Sequence, residues 1–420
     1  MKVLMFGWEF PPYFAGGVGM VCYELTKEMC KRGDVSLTYV MPSGPEDVKS
    51  SHVKILVANN LVKDSQVKIR KINSALGAYM TPEEYQANLE KLKAMKDTGS
   101  NVKNKRDNTV SLYGKNLLEE VYRFAEKAKL IAEEEDFDII HAHDWTTFPA
   151  AMEVKKQTGK PFVAHVHITE FDKSGGAGAN PQIYAVERDG MMAADKVIAV
   201  SNFVKSNLVK NYGIPADKIA VVHNGPNEMN GAINYRSIIQ NDYKIVLFAG
   251  RVTLQKGPEF FVDAAAKVVP HYDKVKFVVA GSGDQLTKII ERATNHGIAD
   301  HFIFHGFYTR NEAEKLFSMA DLFVMPSVSE PFGIVPFEAM CKGTPTLISK
   351  QSGCSEVINH TMKVDFWDTD EMANKIVGVL RHEELGEEIS ERGLWEVNNF
   401  SWSGPANKCI DVYKEVLCRR

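Results

Sequence analysis

Residues 2–6 read KVLMF, residues 16–19 read GGVG, and apolar side chains then recur at every fourth position within 21–33. A short apolar strand, a glycine loop and an amphipathic helix in this order are typical of the first strand and crossover helix of a parallel sheet. Parallel strands need such a crossover because a tight turn cannot join two strands of the same direction. The stretch therefore predicts a doubly wound α/β fold for the start of the chain.

The same alternation continues on both sides of a polar segment near 227–243. Before this segment, apolar runs that precede helical patterns lie at 137–141, 161–167 and 196–200. After it, similar runs lie at 244–249, 275–280, 302–306, 321–325 and 346–349. Continuous apolar runs are expected of parallel strands that are buried on both faces. We expect two doubly wound domains joined by a polar linker.

Length and composition agree with a two-domain globular protein. Single hydrophobic cores stop growing near about 250 to 300 residues, whereas this chain has 420. A formal net charge of −4 gives no general attraction to nucleic acid. The six cysteines are scattered, which favours reduced thiols, and no apolar run approaches the roughly 20 residues of a membrane span. We expect a cytoplasmic protein that has no integral membrane segment and binds no nucleic acid.

The glycine loop is a candidate phosphate-binding element. Gly16, Gly17 and Gly19 would let backbone N–H groups approach a diphosphate at the positive end of the following helix. A tight turn from strand to helix also needs glycine, so the loop alone does not decide between binding and structure. Pro42 and Ser43 stand where a dehydrogenase carries an acidic residue after its second strand, which argues against a dinucleotide site.

Two cations occupy one predicted strand end in the second half of the chain. Residues 250–257 read GRVTLQKG and follow the apolar run 244–249. Arg251 and Lys256 are suited to stabilising the negative charge that accumulates on a departing nucleoside diphosphate. Basic residues on a surface are usually only solvated, but the placement between glycines at a strand end favours phosphate binding.

The most informative stretch, residues 329–338, reads SEPFGIVPFE. We expect Glu330 in a loop before a helix whose first turn carries Gly333, with Glu338 inside that helix near its start. The amides of Gly333 and Ile334 would hold phosphate while the two carboxylates accept sugar hydroxyls. Two merely solvated glutamates are the alternative, but the apolar surroundings and two prolines indicate a fixed, partly buried turn.

Four histidines and an aspartate end two of the predicted strands. HAHDW at 141–145 and HVH at 165–167 each place two histidines on one strand face, because residues two apart point the same way. Zinc is one interpretation, although catalytic zinc sites usually have three ligands fixed around one point. Hydrogen-bonded core histidines are another. We favour polar contacts from these side chains to a sugar, and we expect no metal.

Taken in order, the GGVG loop, HAHDW, the strand ending in His167, GRVTLQKG and SEPFGIVPFEA resemble the retaining glycosyltransferases of the GT-B type. This broad family includes glycogen and starch synthases. Residues 167–172 and 198–201 are also similar to family sequences, and the resemblance is weakest from 43 to 130.

The resemblance implies an α/β fold of two Rossmann-like domains that face each other across a cleft. An acceptor-side domain would span 1–228, and a nucleotide-sugar-binding domain would span 243–400. A final helix at 404–420 would pack back on the first domain.

The resemblance also implies the catalytic residues, and it implies no cofactor. Arg251 and Lys256 would bind the donor diphosphate and the leaving group, and Glu330 would contact sugar hydroxyls near the reacting centre. His167 would contact the transferred sugar. Retention would follow from front-face substitution, in which the leaving phosphate accepts the acceptor's proton. Double displacement through two carboxylates is disfavoured because Glu338 would point to the ribose.

The remaining substrate-binding positions follow the same resemblance. Glu338 would hold the nucleotide ribose with help from two backbone amides, an aspartate would contact the sugar, and the glycine loop would approach the phosphates. These positions are Gly16, Gly17, Gly19, Asp144, Gly333, Ile334 and Glu338.

The expected partners are a nucleotide diphosphate sugar, ADP-glucose or UDP-glucose, and a glycosyl acceptor, for which an α-glucan is preferred. HAHDW favours glucan synthesis, whereas Phe14 stands where synthases that use ADP-glucose commonly carry lysine. A lipid or small-molecule acceptor is an alternative. A nucleotide-sugar epimerase and a non-catalytic sugar-binding protein are two further alternatives on the same architecture.

Overall fold

The computed structural model describes residues 1–12, 17–44, 50–58, 115–176, 178–226, 235 and 237–419. Gly16 of the predicted phosphate loop and Phe14 lie outside these ranges. No helix within them is both long enough and apolar enough to cross a membrane.

The first half of the described chain forms a parallel sheet of seven strands with helices on both faces. The strands lie in the order β3-β2-β1-β4-β5-β6-β7. They are β1 (Lys2–Phe6), β2 (Ser36–Met41), β3 (Lys54–Val57), β4 (Ile139–His143), β5 (Phe162–Val166), β6 (Lys196–Ala199) and β7 (Ile219–Val221). The helices are α1 (Gly17–Lys31), α2 (Lys115–Glu134), α3 (Phe148–Thr158), α4 (Glu170–Lys173), α5 (Pro181–Ala193) and α6 (Asn202–Tyr212).

The second half forms a parallel sheet of six strands in the described chain, in the order β10-β9-β8-β11-β12-β13. These are β8 (Lys244–Ala249), β9 (Val275–Ala280), β10 (Phe302–Gly306), β11 (Leu322–Met325), β12 (Thr346–Ser349) and β13 (Met362–Val364). The helices are α7 (Pro258–Val268), α8 (Leu286–Asn295), α9 (Arg310–Met319), α10 (Val335–Cys341), α11 (Thr369–Arg381) and α12 (Glu383–Asn398). The predicted fold class is confirmed.

A last helix, α13 (Ser403–Cys418), returns to the first sheet. Its Ile410 and Tyr413 share one buried cluster with Val3 and Met5 of β1. Lys196 Nζ also lies 2.8 Å from Glu415 Oε1 of this helix. We call the first sheet with α1 to α6 and α13 the N-terminal unit, and the second sheet with α7 to α12 the C-terminal unit.

Strand order determines where each unit offers a binding site. In each sheet the order reverses between the first strand and the fourth, at β1/β4 and at β8/β11. Ligands of open parallel sheets bind beyond the carboxyl ends of the strands at such a reversal. The loops that follow β1, β4, β8 and β11 are therefore the ones that this fold brings together.

Two sequence predictions need correction in detail. The run predicted at 137–141 becomes a strand at Ile139–His143, because Phe137 packs into the core before the strand begins. The helix that carries Glu338 begins at Val335 after an N-cap at Ile334, so Gly333 precedes the helix rather than lying in its first turn.

Candidate active site

A cleft of about 400 Å³ lies between the two units, at the carboxyl ends of their strands. Seven of the predicted site residues line it, and they come from both units. These are Gly17, His167, Arg251, Lys256, Glu330, Gly333 and Ile334. Gly19, Asp144 and Glu338 are not part of its wall.

Gly17, at the start of α1, faces the C-terminal unit at close range. A Cβ atom at Gly17 would lie 3.6 Å from Ile334 Cδ1, so the first turn of α1 lies opposite the Gly333–Ile334 segment. Gly19 is buried behind it, and its amide donates to Glu9 Oε1 at 3.1 Å. Of the two, only Gly17 is placed to approach a ligand.

The loop that follows β8 carries both predicted cations. Gly250 has a φ of 140°, and Gly257 has a φ of 62° as it ends the 3-10 turn Leu254–Lys256. These left-handed conformations suit glycine, and they place the loop across the strand ends before α7 begins. Arg251 precedes this turn and Lys256 ends it, and both line the cleft.

Lys256 and Glu330 form an ion pair between Nζ and Oε2. Their side chains are 15% and 9% exposed, so the pair is largely shielded from water. Ser327 Oγ donates to the same Glu330 oxygen at 3.3 Å. A diphosphate entering the cleft would compete with Glu330 for the ammonium group, and the carboxylate would then be available to sugar hydroxyls.

A side chain at position 333 would be both strained and crowded. The φ of Gly333 is 92°, and a Cβ atom there would lie 3.0 Å from Glu330 Cγ and 3.3 Å from Cys354 Sγ. The residue therefore allows the chain to turn tightly around Glu330 before α10 begins. Ile334 follows it on the cleft wall.

Glu338 lies behind the wall, in the first turn of α10, near Tyr308. Burial, together with the charge of Glu338, raises the pKa of the Tyr308 phenol. Tyr308 lines the cleft, as does Asn224, which is almost fully buried. Neither residue was predicted to be functional. The sequence signal for Tyr308 was its position just after the predicted strand 302–306, and Asn224 follows β7.

His167 belongs to a buried group of four histidines on β4 and at the end of β5. His143 Nδ1 lies 2.8 Å from His167 Nε2, and His141 Nε2 lies 3.2 Å from His165 Nδ1. His141 Nδ1 also contacts the hydroxyl of Tyr413 on α13, at 2.5 Å. The predicted pairing of histidines on one face is thus present.

Burial keeps these imidazoles neutral. It lowers the pKa of His141 to about 3 and the pKa values of His143 and His165 well below their ordinary range. Burial also lowers the pKa of His167, although the nearby Asp144 charge opposes the change. His167 therefore offers a neutral hydrogen-bonding ring to the cleft.

His141, His143 and His165 are close enough to be considered as a metal site, since one nitrogen of each lies within 4.8 Å of the others. The ring planes are tilted against one another, at 33° for His141 with His143, 31° for His143 with His165 and 51° for His141 with His165. Both nitrogens of His141 already have hydrogen-bond partners, Tyr413 and His165, so a metal ion would have to displace one of them. These hydrogen bonds favour core residues over a metal centre.

Asp144 acts on the cleft through the backbone at the end of β5 and through its charge near His167. It is fully buried with a φ of 58°, and its Oδ1 accepts from the amides of His167 and Ile168 at 2.7 and 3.4 Å. The carboxylate thus fixes the end of β5, where His167 leaves the sheet. The sequence analysis expected Asp144 to contact the sugar directly, whereas the structure places it behind His167.

Comparison with known proteins identifies the family. Residues 15–228 match the model of glycosyltransferase family 4, and residues 233–394 match that of group 1 glycosyl transferases. An uncharacterized glycosyltransferase of Methanocaldococcus jannaschii is 29% identical over 432 residues, covering 99% of this chain and 98% of its own length. Glycogen synthase of Mycobacterium tuberculosis is 24% identical over 364 residues, covering 85% of this chain and 80% of its own.

Solved structures share the two-sheet architecture. Sucrose-phosphate synthase from Thermosynechococcus elongatus superposes with a TM-score of 0.70 at 19% identity, over 100% of both chains. HepE of Anabaena, in complex with UDP and glucose, gives a TM-score of 0.65 at 16% identity, over 99% of this chain and 100% of its own. Since the two family models together cover most of the chain, it belongs to the glycosyltransferases of the GT-B type, with a family 4 N-terminal part and a group 1 C-terminal part.

Proposed function

We propose that this chain is a retaining glycosyltransferase that moves glucose from UDP-glucose or ADP-glucose to the end of an α-glucan. The observation that carries the proposal is the composition of the cleft. Arg251, Lys256 and Glu330 line one side, and a neutral His167 lines the other. Two cations suit a diphosphate, and a carboxylate beside a neutral imidazole suits the hydroxyls of a hexose.

In the proposed reaction, an acceptor hydroxyl attacks the anomeric carbon from the face on which the diphosphate leaves. The bond from that carbon to the phosphate oxygen breaks, the bond to the acceptor oxygen forms, and the acceptor's proton passes to the leaving phosphate. Arg251 and Lys256 stabilise the charge on the leaving group without a metal ion or other cofactor. Most of the rate enhancement then comes from orientation and electrostatics.

The units divide these tasks between them. We assign acceptor binding to residues 1–228 with the helix 404–420, and nucleotide-sugar binding to residues 243–400. Glu338 would reach the ribose from behind Tyr308, and Gly17, Gly333 and Ile334 would approach the phosphates. Closure of the units would exclude water and limit hydrolysis of the donor.

Glucan synthesis is supported by the similarity to a glycogen synthase across most of both chains. HepE, which was solved with UDP and glucose, supports a nucleotide-linked glucose as donor. The six cysteines, all described and all free, support a reducing compartment, and we propose the cytoplasm.

The test is to incubate the purified chain with UDP-glucose or ADP-glucose and a short α-glucan primer, followed by NMR of the new linkage. We expect an α-linked extension that requires the primer and is lost in Lys256→Ala. A β-linked product would overturn retention. Transfer only to a lipid or small-molecule acceptor would keep the chemistry and reject the glucan. Conversion of the donor sugar without any acceptor would indicate an epimerase, and tight binding without turnover would indicate a sugar-binding protein.

A further inference from the structure

Two runs that resemble family sequences, residues 167–172 and 198–201, extend beyond the wall of the cleft. The first run contributes His167 and Ile168 to the wall, but the residues that end the two runs, Asp172 and Ser201, are fully buried outside it. Each makes a hydrogen bond to the loop of the C-terminal unit that carries Glu330. Neither side chain has a role in the reaction described above.

Asp172, on α4, accepts hydrogen bonds on both carboxylate oxygens. Oδ2 accepts from the amide and the hydroxyl of Thr169 at 2.9 and 2.7 Å. Oδ1 accepts from Asn207 Nδ2 at 3.2 Å and from Ser329 Oγ at 2.8 Å. Thr169 and Asn207 belong to the N-terminal unit and hold the carboxylate in place. The bond to Ser329 therefore fixes that residue relative to the N-terminal unit.

Ser201 makes a second bond between the units. Its hydroxyl donates to the carbonyl of Pro331 at 2.6 Å and accepts from the amide of Val204 at 3.0 Å, as the N-cap of α6. Gly353 packs against this contact, since a Cβ atom there would lie 2.2 Å from Pro331 O and 2.6 Å from Ser201 Cβ. The close packing leaves the Pro331 peptide little freedom to shift.

Ser329 and Pro331 are the two chain neighbours of Glu330, whose own backbone bonds within the C-terminal unit. The Glu330 amide donates to Gln351 O at 3.0 Å, and its carbonyl accepts from the Gly353 amide at 2.9 Å. Glu330 is thus held by the C-terminal unit through its backbone and by the N-terminal unit through both neighbours.

A third contact keeps the same surfaces together. Glu356 accepts from the amides of Asn202 and Phe203 at 2.9 and 2.7 Å, and it lies 2.8 Å from His223 Nε2. The carboxylate of one unit thereby caps a helix of the other. This contact adds further hydrogen bonds between the two units, at the start of α6.

We infer that Asp172 and Ser201 are positioning residues for sugar transfer, which hold Glu330 at a fixed place relative to His167 across the cleft. The inference rests on the proposed function, because it takes Glu330 to contact the donor sugar. A displacement of about 1 Å at a reacting centre can lower a rate by about 100-fold. Asp172 and Ser201, which lie outside the wall of the cleft, can therefore control turnover.

The test is a double-mutant cycle on the bond between Asp172 and Ser329. Asp172→Asn and Ser329→Ala should each lower kcat by about 10- to 100-fold and change the KM for UDP-glucose or ADP-glucose by less than about threefold. The double variant should be no worse than the poorer single variant, because both changes act on the same bond: Ser329→Ala removes its donor, and Asp172→Asn replaces its charged acceptor with an amide. Multiplied losses would show that Asp172 acts by another route and would overturn the inference.

Matched controls separate positioning from stability. Ser390→Ala removes a hydroxyl-to-carbonyl bond to Gly343 within the C-terminal unit, as Ser201→Ala does between the units. Asp368→Ala removes the carboxylate cap of α11. Both controls should lower Tm and leave kcat unchanged. If Ser201→Ala and Asp172→Asn keep the same kcat as these controls, the two residues serve only folding.

Hydrogen exchange supplies a readout that does not depend on turnover. With UDP as the probe, amides in 327–333 should exchange faster in Asp172→Asn and Ser201→Ala than in the wild type, and Ser390→Ala should leave them unchanged. Unchanged exchange in the first two variants contradicts the inference. If Lys256→Ala keeps its turnover, the proposed function fails instead. If Lys256→Ala loses turnover while the anchor variants keep theirs, only the positioning role is wrong.

Discussion

Lys256→Ala should lower kcat by about 100- to 1,000-fold, which is the usual effect of removing one preorganised group that stabilises developing charge. Lys256 lies in the turn after β8, where its ammonium group lines the cleft and pairs with Glu330. Loss of this cation removes stabilisation of the leaving diphosphate in the transition state. We expect the same direction of change for Arg251→Ala.

The structure also indicates how much folding stability Lys256→Ala should lose. Lys256 and Glu330 are only 15% and 9% exposed, and removal of one partner from a buried ion pair costs about 3 to 5 kcal/mol. At roughly 2 to 4 °C per kcal/mol, Tm should fall by at least about 6 °C. Lys256→Ala combined with Glu330→Gln should recover much of that loss, because no unpaired charge then stays buried. The double variant should still be inactive.

The assay measures kcat from release of the nucleoside diphosphate, at a temperature where circular dichroism shows each variant to be folded. Lys342→Ala is the matched control. Lys342 Nζ lies 3.4 Å from Glu314 Oε2, and these side chains are 0% and 4% exposed in the same unit but outside the cleft. It should lose similar stability and keep its kcat. Near-normal turnover in folded Lys256→Ala and Arg251→Ala would refute the diphosphate site.

Three further outcomes are expected. EDTA should leave turnover nearly unchanged, because the cationic side chains neutralise the diphosphate; a loss that magnesium or manganese restores would contradict metal independence. Gly333→Ala should lower kcat at least about tenfold, because an L-residue is strained at a φ of 92° and its Cβ atom would displace Glu330; wild-type kinetics would be evidence against the tight turn. Glu187→Gln should alter pH dependence, since burial raises the pKa of Glu187 from 4.5 to about 8. A raised carboxyl pKa gives stability that is present at pH 4.5 and lost as pH rises through 8. Glu187→Gln should therefore match the wild type in Tm at pH 5 and exceed it at pH 8.5. Equal Tm values at both pH values would show that ionisation of Glu187 does not affect stability.

The strands could be predicted from sequence because burial on both faces demands continuous apolar runs. The run at 244–249 coincides with β8, and the runs at 275–280 and 302–306 coincide with β9 and β10. The positions of Lys256 and Glu330 at the cleft could also be predicted, since both lie in glycine- or proline-containing loops at strand ends, where ligands of parallel sheets bind. These predictions use only residues that are close in sequence, so they do not depend on tertiary contacts.

The tasks of Asp144 and Asp172 could not be predicted in the same way. Both carboxylates bond to backbone or side-chain donors that come near only through tertiary structure, such as the amide of His167 and the hydroxyl of Ser329. A sequence pattern shows that a polar residue follows a strand, but it does not show whether the side chain turns toward the ligand or toward the neighbouring loop. Tyr308 was missed for the same reason.

The return of α13 to the first sheet affects how the protein folds while it is being synthesised. The strands β8 to β13 are synthesised before Ile410 and Tyr413, which complete the cluster around Val3 and Met5. Domains usually fold in the order of synthesis. In this chain, however, all strands of the C-terminal sheet have been synthesised before α13 can cover the apolar side chains of β1. A nascent chain stalled near residue 400 should therefore bind chaperones through its earliest strands.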